Sequence, residues 1–410
     1  MLFRSASYHE RSLGRGADYA RAPLTSVALH DKLWYHDNDT VSFRYDELNQ
    51  ARTDRATVAR YRKELGVTEN AQDTIWQYRR GAGFVLGYGV YQSFFDLHGG
   101  YFDDPRLLAE VQRLNVLLAE SAQHDCSSVA EILVVSDETS CSYATFESGL
   151  LQQTLQPVQV QLAKLGAPHD SILVDDLALV DMNRYKLVIF LDCFHLTADQ
   201  RELIRRTVLN RGRTVLWSYA PGLFNGVATS VEAMRELTGF TLTRSAQTDR
   251  KRLRIALTEA GRHWWHTLAG SAPPRRVGHE HVWAQTWAVD DPHTSVLGRL
   301  EDRPEIALAI KRMPDWTSVY TLNPAMPAAF FRGLARQAGV HVYNMRDDTL
   351  YASRSYLTVN ADGLGDRELQ FPDCVDLFDP FTGHCPARRV KVWPYSFQDK
   401  ETLVLRYSRP

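Results

Sequence analysis

"AEILVVSDE", Ala130 to Glu138, is a short apolar run that breaks into polar residues at its end, and the same design recurs downstream. "HDSILVDDL" (His169–Leu177), "YKLVIFLDCF" (Tyr185–Phe194) and "RTVLWSYAPG" (Arg213–Gly222) each read as a strand, the second of them fully buried. Between them lie helical patterns. "GLLQQTLQPVQVQLAKLG" is an amphipathic helix with one proline irregularity, and "TADQRELIRRTVLNRG" is a helix capped by Thr197 and closed by Gly212. Strands alternating with helices over short connections imply a parallel sheet covered on both faces, so the middle of the chain belongs to the doubly wound α/β class. "DRPEIALAIKRMPDWTSVYTLNP" then gives two strands around a "PDW" turn, and "AAFFRGLARQAGVHVYNM" a last helix and strand.

The flanks differ from this middle. Upstream, "SVALHDKLWYH" (Ser26–His36) has strand character, "TDRATVARYRKELG" spaces its charges as a helix does, and "AQDTIWQYRRGAGF" is a second helix ending in glycines. "FVLGYGVYQSFFDLHGG" (Phe84–Gly100) reads as a buried strand closing on a glycine turn, and "DDPRLLAEVQRLNVLLAESAQ" opens a helix with an acid and a proline. Beyond Asp347 the helical period disappears. "TLYASRSYLTVNA", "RELQFPDCVDLFDPFTG" and "VKVWPYSF" with "ETLVLRYS" are short alternating stretches broken by Gly, Pro and Asp, which predicts a small antiparallel β domain.

Composition excludes several classes of partner. The 410 residues carry 47 Lys and Arg against 49 Asp and Glu with no block of one sign, so neither nucleic acid nor a membrane surface is expected to bind. The first twenty residues lack the apolar centre of a signal peptide, and no apolar run is long enough to cross a bilayer; a soluble, cytoplasmic protein is expected. Five cysteines, at 126, 141, 193, 374 and 385, lack metal-ligand spacing and are expected to be reduced. No glycine-rich phosphate cradle is present, so no nucleotide or other cofactor is expected.

Two upstream strands end in polar clusters, "LWYHDND" and "YQSFFDLHGG". If both belong to one parallel barrel, His36, Asp37, Asp39, Asp96 and His98 converge at its carboxyl face, where such enzymes build their sites. The plainer reading of Asp37 to Asp39 is a solvated Asx turn, and an EF-hand calcium loop lacks its central glycine. "VVSDETSCSYATFESG" places Asp137, Glu138, Ser140 and Cys141 after a strand of the doubly wound sheet, a usual ligand position. Cys193, two residues from His195, lacks the glycine-flanked turn of a nucleophile and reads as a buried, inert thiol. His263, His266, His279 and His281 read as surface histidines of a connecting segment, and Trp264, Trp265, Trp283 and Trp287 as core or interface.

Taken together, "KLWYHDNDT", "FDLHGGYFDDPRLLAEVQRLN", "ILVVSDETS", "VIFLDCFHLTADQRE", "VLWSYAPGL", "GLARQAGVHVY", "RSYLTVNA" and "VDLFDPFTG" resemble, in order, bacterial β-galactosidase-like enzymes similar to family 42 glycoside hydrolases. The resemblance runs from about Ser26 to the end. It implies the end of a (β/α)8 barrel over residues 1–122, a flavodoxin-like trimerisation domain related to class I glutamine amidotransferases over 123–346, and a small C-terminal β domain over 347–410. It further implies that the chain starts near the sixth barrel strand, with Asp37 at the nucleophile position, or Asp39 if the loop alignment slips by two. Asp96 and His98 then match a substrate-facing loop, and Trp34 and Tyr91 are sugar-stacking neighbours. Nothing matches the Asn-Glu pair that carries the acid/base glutamate; Glu110 and Glu131 sit in unlike contexts. The resemblance thus implies a carbohydrate ligand, a homotrimer, and little or no activity for this chain alone. A non-catalytic oligomerisation or carbohydrate-binding protein is the alternative, and a cysteine enzyme built on Cys193 is the third.

Overall fold

The structure is a computed structural model that describes residues 2–5, 12–45, 66–96, 99–144, 156–245, 253–278 and 285–410. The chain divides into two compact units, one made of Met1–Val129, Ala163–Pro168 and Val342–Pro410, the other of Ala130–Leu162 and His169–His341.

The first unit begins with β1 (Leu2–Ser5), α1 (Leu24–Leu29), β2 (Leu33–Asn38), α2 (Ala71–Tyr88), β3 (Tyr91–Phe94) and α3 (Pro105–Ser121). The three strands form a parallel sheet in the order β1-β2-β3, with Tyr35 opposite Tyr91 and Asp37 opposite Ser93. Two expectations are corrected. Leu24–Leu29 is helical, and Asp31 turns the chain at φ 54° before the strand starts at Leu33. The strand expected from Phe84 is helix as far as Tyr88, because α2 runs through Gly81, Gly83 and Gly87 and stops only at Gly89, in the left-handed conformation.

Those glycines are contact points. A Cβ on Gly83 would stand 2.3 Å from the Thr358 side chain, one on Gly87 2.7 Å from Tyr351 Cβ, and one on Gly81 2.7 Å from Asn38 Nδ2. Each glycine costs a helix about 1 kcal/mol, which the close approach offsets. Ends are better signposted: Asn70 caps α2 by accepting from the Asp73 N–H, and Asp104 caps α3 just before Pro105.

The second unit holds β4 (Ile132–Ser136), α4 (Glu138–Cys141), α5 (Gln156–Ala163, whose last residue belongs to the first unit), β5 (His169–Leu173), β6 (Leu187–Leu191), α6 (Ala198–Thr207), β7 (Thr214–Ser218), α7 (Val231–Thr238) and β8 (Leu242–Arg244). It continues with β9 (Ile255–Leu257), α8 (Glu259–Leu268), β10 (Arg276–Val277), β11 (Trp287–Val289), β12 (Ser295–Leu300), β13 (Ile306–Arg312), β14 (Thr317–Thr321) and α9 (Ala328–Gln337). Five strands are parallel, in the order β5-β4-β6-β7-β14. The sheet does not stop there: β13, β12, β9 and β10 extend it antiparallel, and β11 and β8 branch from β13. The wholly parallel sheet is therefore corrected to a mixed one. The "PDW" turn does join two strands, β13 and β14, whereas residues 340–344 after α9 form no strand.

Local rules account for much of this unit. Thr197 and Gln200 form a complete capping box on α6. Trp217 stacks on Phe190 at 4.5 Å, and the buried Arg213 donates to the backbone carbonyls of Tyr185, Met182 and Thr207. Trp265 and Trp287 are core residues, as expected.

The chain then returns to the first unit as β15 (Thr349–Ala352), β16 (Tyr356–Asn360), β17 (Gly365–Phe378), β18 (Ala387–Phe397) and β19 (Thr402–Ser408). They form the expected antiparallel sheet, ordered β15-β16-β19-β17-β18. Pro394 is tolerated because β18 is an edge strand, and the β17–β18 register shifts between Gln370 and Val375, around Pro372. α2 packs against β15, β16 and β19 as well as β2 and β3. The fully buried Arg80 ties this arrangement together: Nε donates to Asp18 at 2.8 Å and Nη1 to the carbonyls of Ser12 and Gly16, while the hydroxyls of Tyr351 and Thr349 donate to the carbonyls of Asp18 and Gly16.

Burial in β5 makes a pH dependence. Desolvation pushes the His169 imidazole down to about 4. The unfolded chain binds the proton more tightly, so stability is complete above about pH 6.5 and is lost as pH falls towards 4, by about 3 kcal/mol from this residue. Unfolding midpoints measured from pH 7 to 4 should fall steeply, and His169→Asn should flatten the fall; an unchanged slope contradicts this cause.

Candidate functional site

Alternation along the parallel strands of the first unit decides which side chains meet. Asn38 Nδ2 approaches Gln92 Oε1 at 3.5 Å beside Gly81 of α2, His36 lies 4.9 Å from the Phe84 ring of α2, and Phe94 packs edge-on against Tyr78 of α2. Trp34, His36 and Asn38 on β2, with Gln92 and Phe94 on β3, therefore share the helix-covered face. Successive residues point to opposite faces, so Tyr35, Asp37, Tyr91 and Ser93 share the other one. The register places Tyr91 directly beside Tyr35 and diagonal to Asp37.

The expected site residues thus separate. Asp37 and Tyr91 come together on one face; Asp37 is 6% exposed and Tyr91 59%. Trp34 and His36 are buried on the other face, where His36 Nε2 stands 3.9 Å from Asp18 Oδ1. Asp39, 4% exposed, follows the strand, its N–H donating to the Asp37 carbonyl at 3.1 Å. The Asn38 side chain accepts from the Thr40 N–H, so an Asx turn is present, formed by Asn38. His98 lies outside the described residues, as do residues 53–65, 149–155, His279, His281 and Trp283.

Asp96 and Asp39 meet at a tyrosine that the sequence did not single out. Burial raises the Tyr101 phenol above its usual range, and Tyr45, Asp96 and Asp39 raise it further. Asp96 Oδ2 accepts from the Tyr101 N–H at 3.1 Å, whereas Asp96 Oδ1 and the hydroxyl of the buried Tyr78 are both sealed without a hydrogen bond. Tyr78 is likewise raised, by burial first and Asp96 second. Tyr78 was hidden in sequence within an apolar helix face; only its place directly before the Arg79–Arg80 pair marks a polar neighbourhood.

A second cluster forms at the carboxyl ends of β4 and β6. Asp137 Oδ2 accepts from both the N–H and the hydroxyl of Ser140 at 2.6 Å, and the Ser140 hydroxyl accepts from the His195 N–H at 2.9 Å. Cys193 is buried, its Sγ donating to the carbonyls of Leu191 at 3.4 Å and Val135 at 3.6 Å. The left-handed residue of this turn is Asp192, at φ 53°, not the cysteine. Burial, then Asp137 and Asp192, raise the Cys193 thiol, so it lacks the thiolate character of a nucleophile. Alkylation of the native protein at pH 7.5 should leave Cys193 unmodified while the exposed Cys374 reacts, as peptide mass mapping would show; rapid labelling of Cys193 contradicts its burial.

Among the described residues no group of three or more His, Cys, Asp or Glu could hold a metal ion, and no helix is long and apolar enough to cross a membrane. His263 and His266 are exposed on α8.

No family profile matches the chain, and no curated protein matches it by sequence. Solved structures do match it in fold. A β-galactosidase from Bacillus circulans sp. alkalophilus superposes with a TM-score of 0.59 at 13% identity, over 92% of this chain and 60% of its own. A catalytic mutant of a GH42 β-galactosidase from G. stearothermophilus gives 0.60 at 14% identity, over 94% and 61%. An α-L-fucosidase isoenzyme from Paenibacillus thiaminolyticus gives 0.54 at 11% identity, over 97% and 64%. This chain therefore spans about three fifths of the length of the proteins it resembles, and nearly all of it has the fold found in β-galactosidases, GH42 enzymes among them.

Proposed function

We propose that this chain is the C-terminal portion of a β-galactosidase-like glycoside hydrolase. In this reading β1–β3 and their helices are the end of a (β/α)8 barrel within residues 1–122, residues 123–346 are a flavodoxin-like trimerisation domain, and residues 347–410 are a β cap. The position of Asp37 carries the reading. It lies at the carboxyl end of a parallel strand, on the face opposite the packed helix and beside an exposed tyrosine, which is where barrel enzymes place catalytic groups. The parallel strand order supports the flavodoxin-like assignment: taken in chain sequence, β5-β4-β6-β7-β14 is 2-1-3-4-5.

Asp37 then takes the nucleophile position, or Asp39 if the loop is shifted, and Tyr91 offers a ring to a sugar face. Asp96 and His98 belong to the substrate loop, while Trp34 and His36 support the strand from its helix side. The names of the similar structures support a carbohydrate ligand; the reading also takes the setting as cytoplasmic and needs no cofactor. Glycoside hydrolysis needs a proton donor opposite the nucleophile, and no residue here matches the acid/base strand. Loss of general acid catalysis alone removes on the order of 10² to 10⁴ in rate. The chain by itself is therefore nearly inactive.

Burial of Asp37 and Asp39, 6% and 4% exposed, favours the second reading, a non-catalytic oligomerisation or carbohydrate-binding protein. Both readings predict a trimer by light scattering; a concentration-independent monomer removes that part. Assays on aryl β-galactosides should show turnover at background, unchanged by Asp37→Ala. Turnover that Asp37→Ala abolishes would show a complete catalytic pair within these residues.

A further inference from the structure

The cluster at β4 and β6 plays no part in the proposed hydrolytic site. It lies in the second compact unit, at the point where the parallel sheet reverses its strand order, the usual ligand crevice of such sheets. Asp137 is buried, and its carboxylate faces the Ser140 groups and one imidazole. That imidazole belongs to His195, only 6% exposed, whose Nδ1 is sealed from solvent without a hydrogen bond. Nδ1 stands 3.7 Å from Asp137 Oδ2, too far to share a proton well. Nε2 lies beside Gly226, which is exposed and at φ 95°; a Cβ there would meet it at van der Waals distance, 3.5 Å, a place that the glycine leaves open. Two rings flank the imidazole: Tyr143 at 5.1 Å and Phe224 at 5.9 Å, with Tyr143 53% exposed and stacked edge-on to Phe224 at 4.5 Å.

We propose that this cluster is a second, non-catalytic binding site for a neutral pyranose sugar, with a sugar hydroxyl donating to His195 Nε2 and the apolar sugar face lying on Tyr143. A donor at Nε2 fixes the imidazole tautomer with its proton on Nδ1, on the side of the Asp137 carboxylate, which attracts it across 3.7 Å without a hydrogen bond. The buried carboxylate disfavours an anion in the same place. The absence of a third ligating side chain among the described residues disfavours a metal ion.

The test follows the His195 imidazole signal, assigned through His195→Gln, by NMR of the full chain during titration with galactose, glucose and, separately, inorganic phosphate. A saturable shift with either sugar is expected, weakened about tenfold or lost in Tyr143→Ala and in Asp137→Asn, and kept in Asp37→Asn and Tyr91→Ala. Tyr143→Ala alters an exposed position, so it decides the matter even if Asp137→Asn disturbs the turn. No shift with either sugar overturns the proposal. So does a shift given by phosphate alone, or one lost in Tyr91→Ala but kept in Tyr143→Ala. Because the site is independent of Asp37, failure here leaves the hydrolase reading standing, and the reverse holds.

Discussion

The buried Arg80–Asp18 pair, held within a helix that glycines bring against two sheets, is the constraint on which the first unit depends. A guanidinium with no exposure is tolerable only when its donors are met, and Asp18 takes Nε while the carbonyls of Ser12 and Gly16 take Nη1. The same helix places Gly81 against Asn38 at the end of β2 and Gly83 and Gly87 against β16 and β15. Residues far apart in sequence thereby share one core, in which Tyr78, Ala82 and Leu86 meet Tyr356 and Val404. The end of β2, and with it Asp37 and Asp39, is fixed from behind by this packing.

That support explains the division of the polar cluster. His36 and Trp34 lie on the face that α2 covers, while Asp37 and Tyr91 lie on the opposite one. Asp39 and Asp96 form a third group around Tyr101. A loop that looks in sequence like one acidic patch is thus three environments.

Much of this was legible in the sequence, and the failures have identifiable causes. β4, β6 and β7 announced themselves because each is a mostly apolar run that gives way to polar residues, as strands buried on both faces do. Asp104 with Pro105, and Thr197, marked helix starts by local chemistry alone. The run from Phe84 to Tyr88 misled because glycine signals a break locally, whereas here it answers Thr358 and Tyr351, some 270 residues away. The antiparallel extension from β13 to β10 was illegible because strands of two to seven residues carry no direction in their pattern. Alternation on β2 puts His36 and Asp37 on opposite faces, but which face carries the helix depends on α2, so which of the two is covered could not be read. His195 gave no signal beyond its nearness to Cys193; its pairing with Asp137 arises from a contact across 58 residues.

Backbone hydrogen exchange on Arg80→Met compares most directly the two sheets that α2 is held to join. Removal of the guanidinium leaves Asp18 buried beside a neutral side chain, a loss of about 3 to 5 kcal/mol. Amides of β2 and β3 and amides of β15 and β16 should lose protection together, with those of β4, β6 and β7 unchanged. Loss confined to one of the two sheets, or no loss in either, would contradict the claim that a single buried pair and its helix hold them as one core.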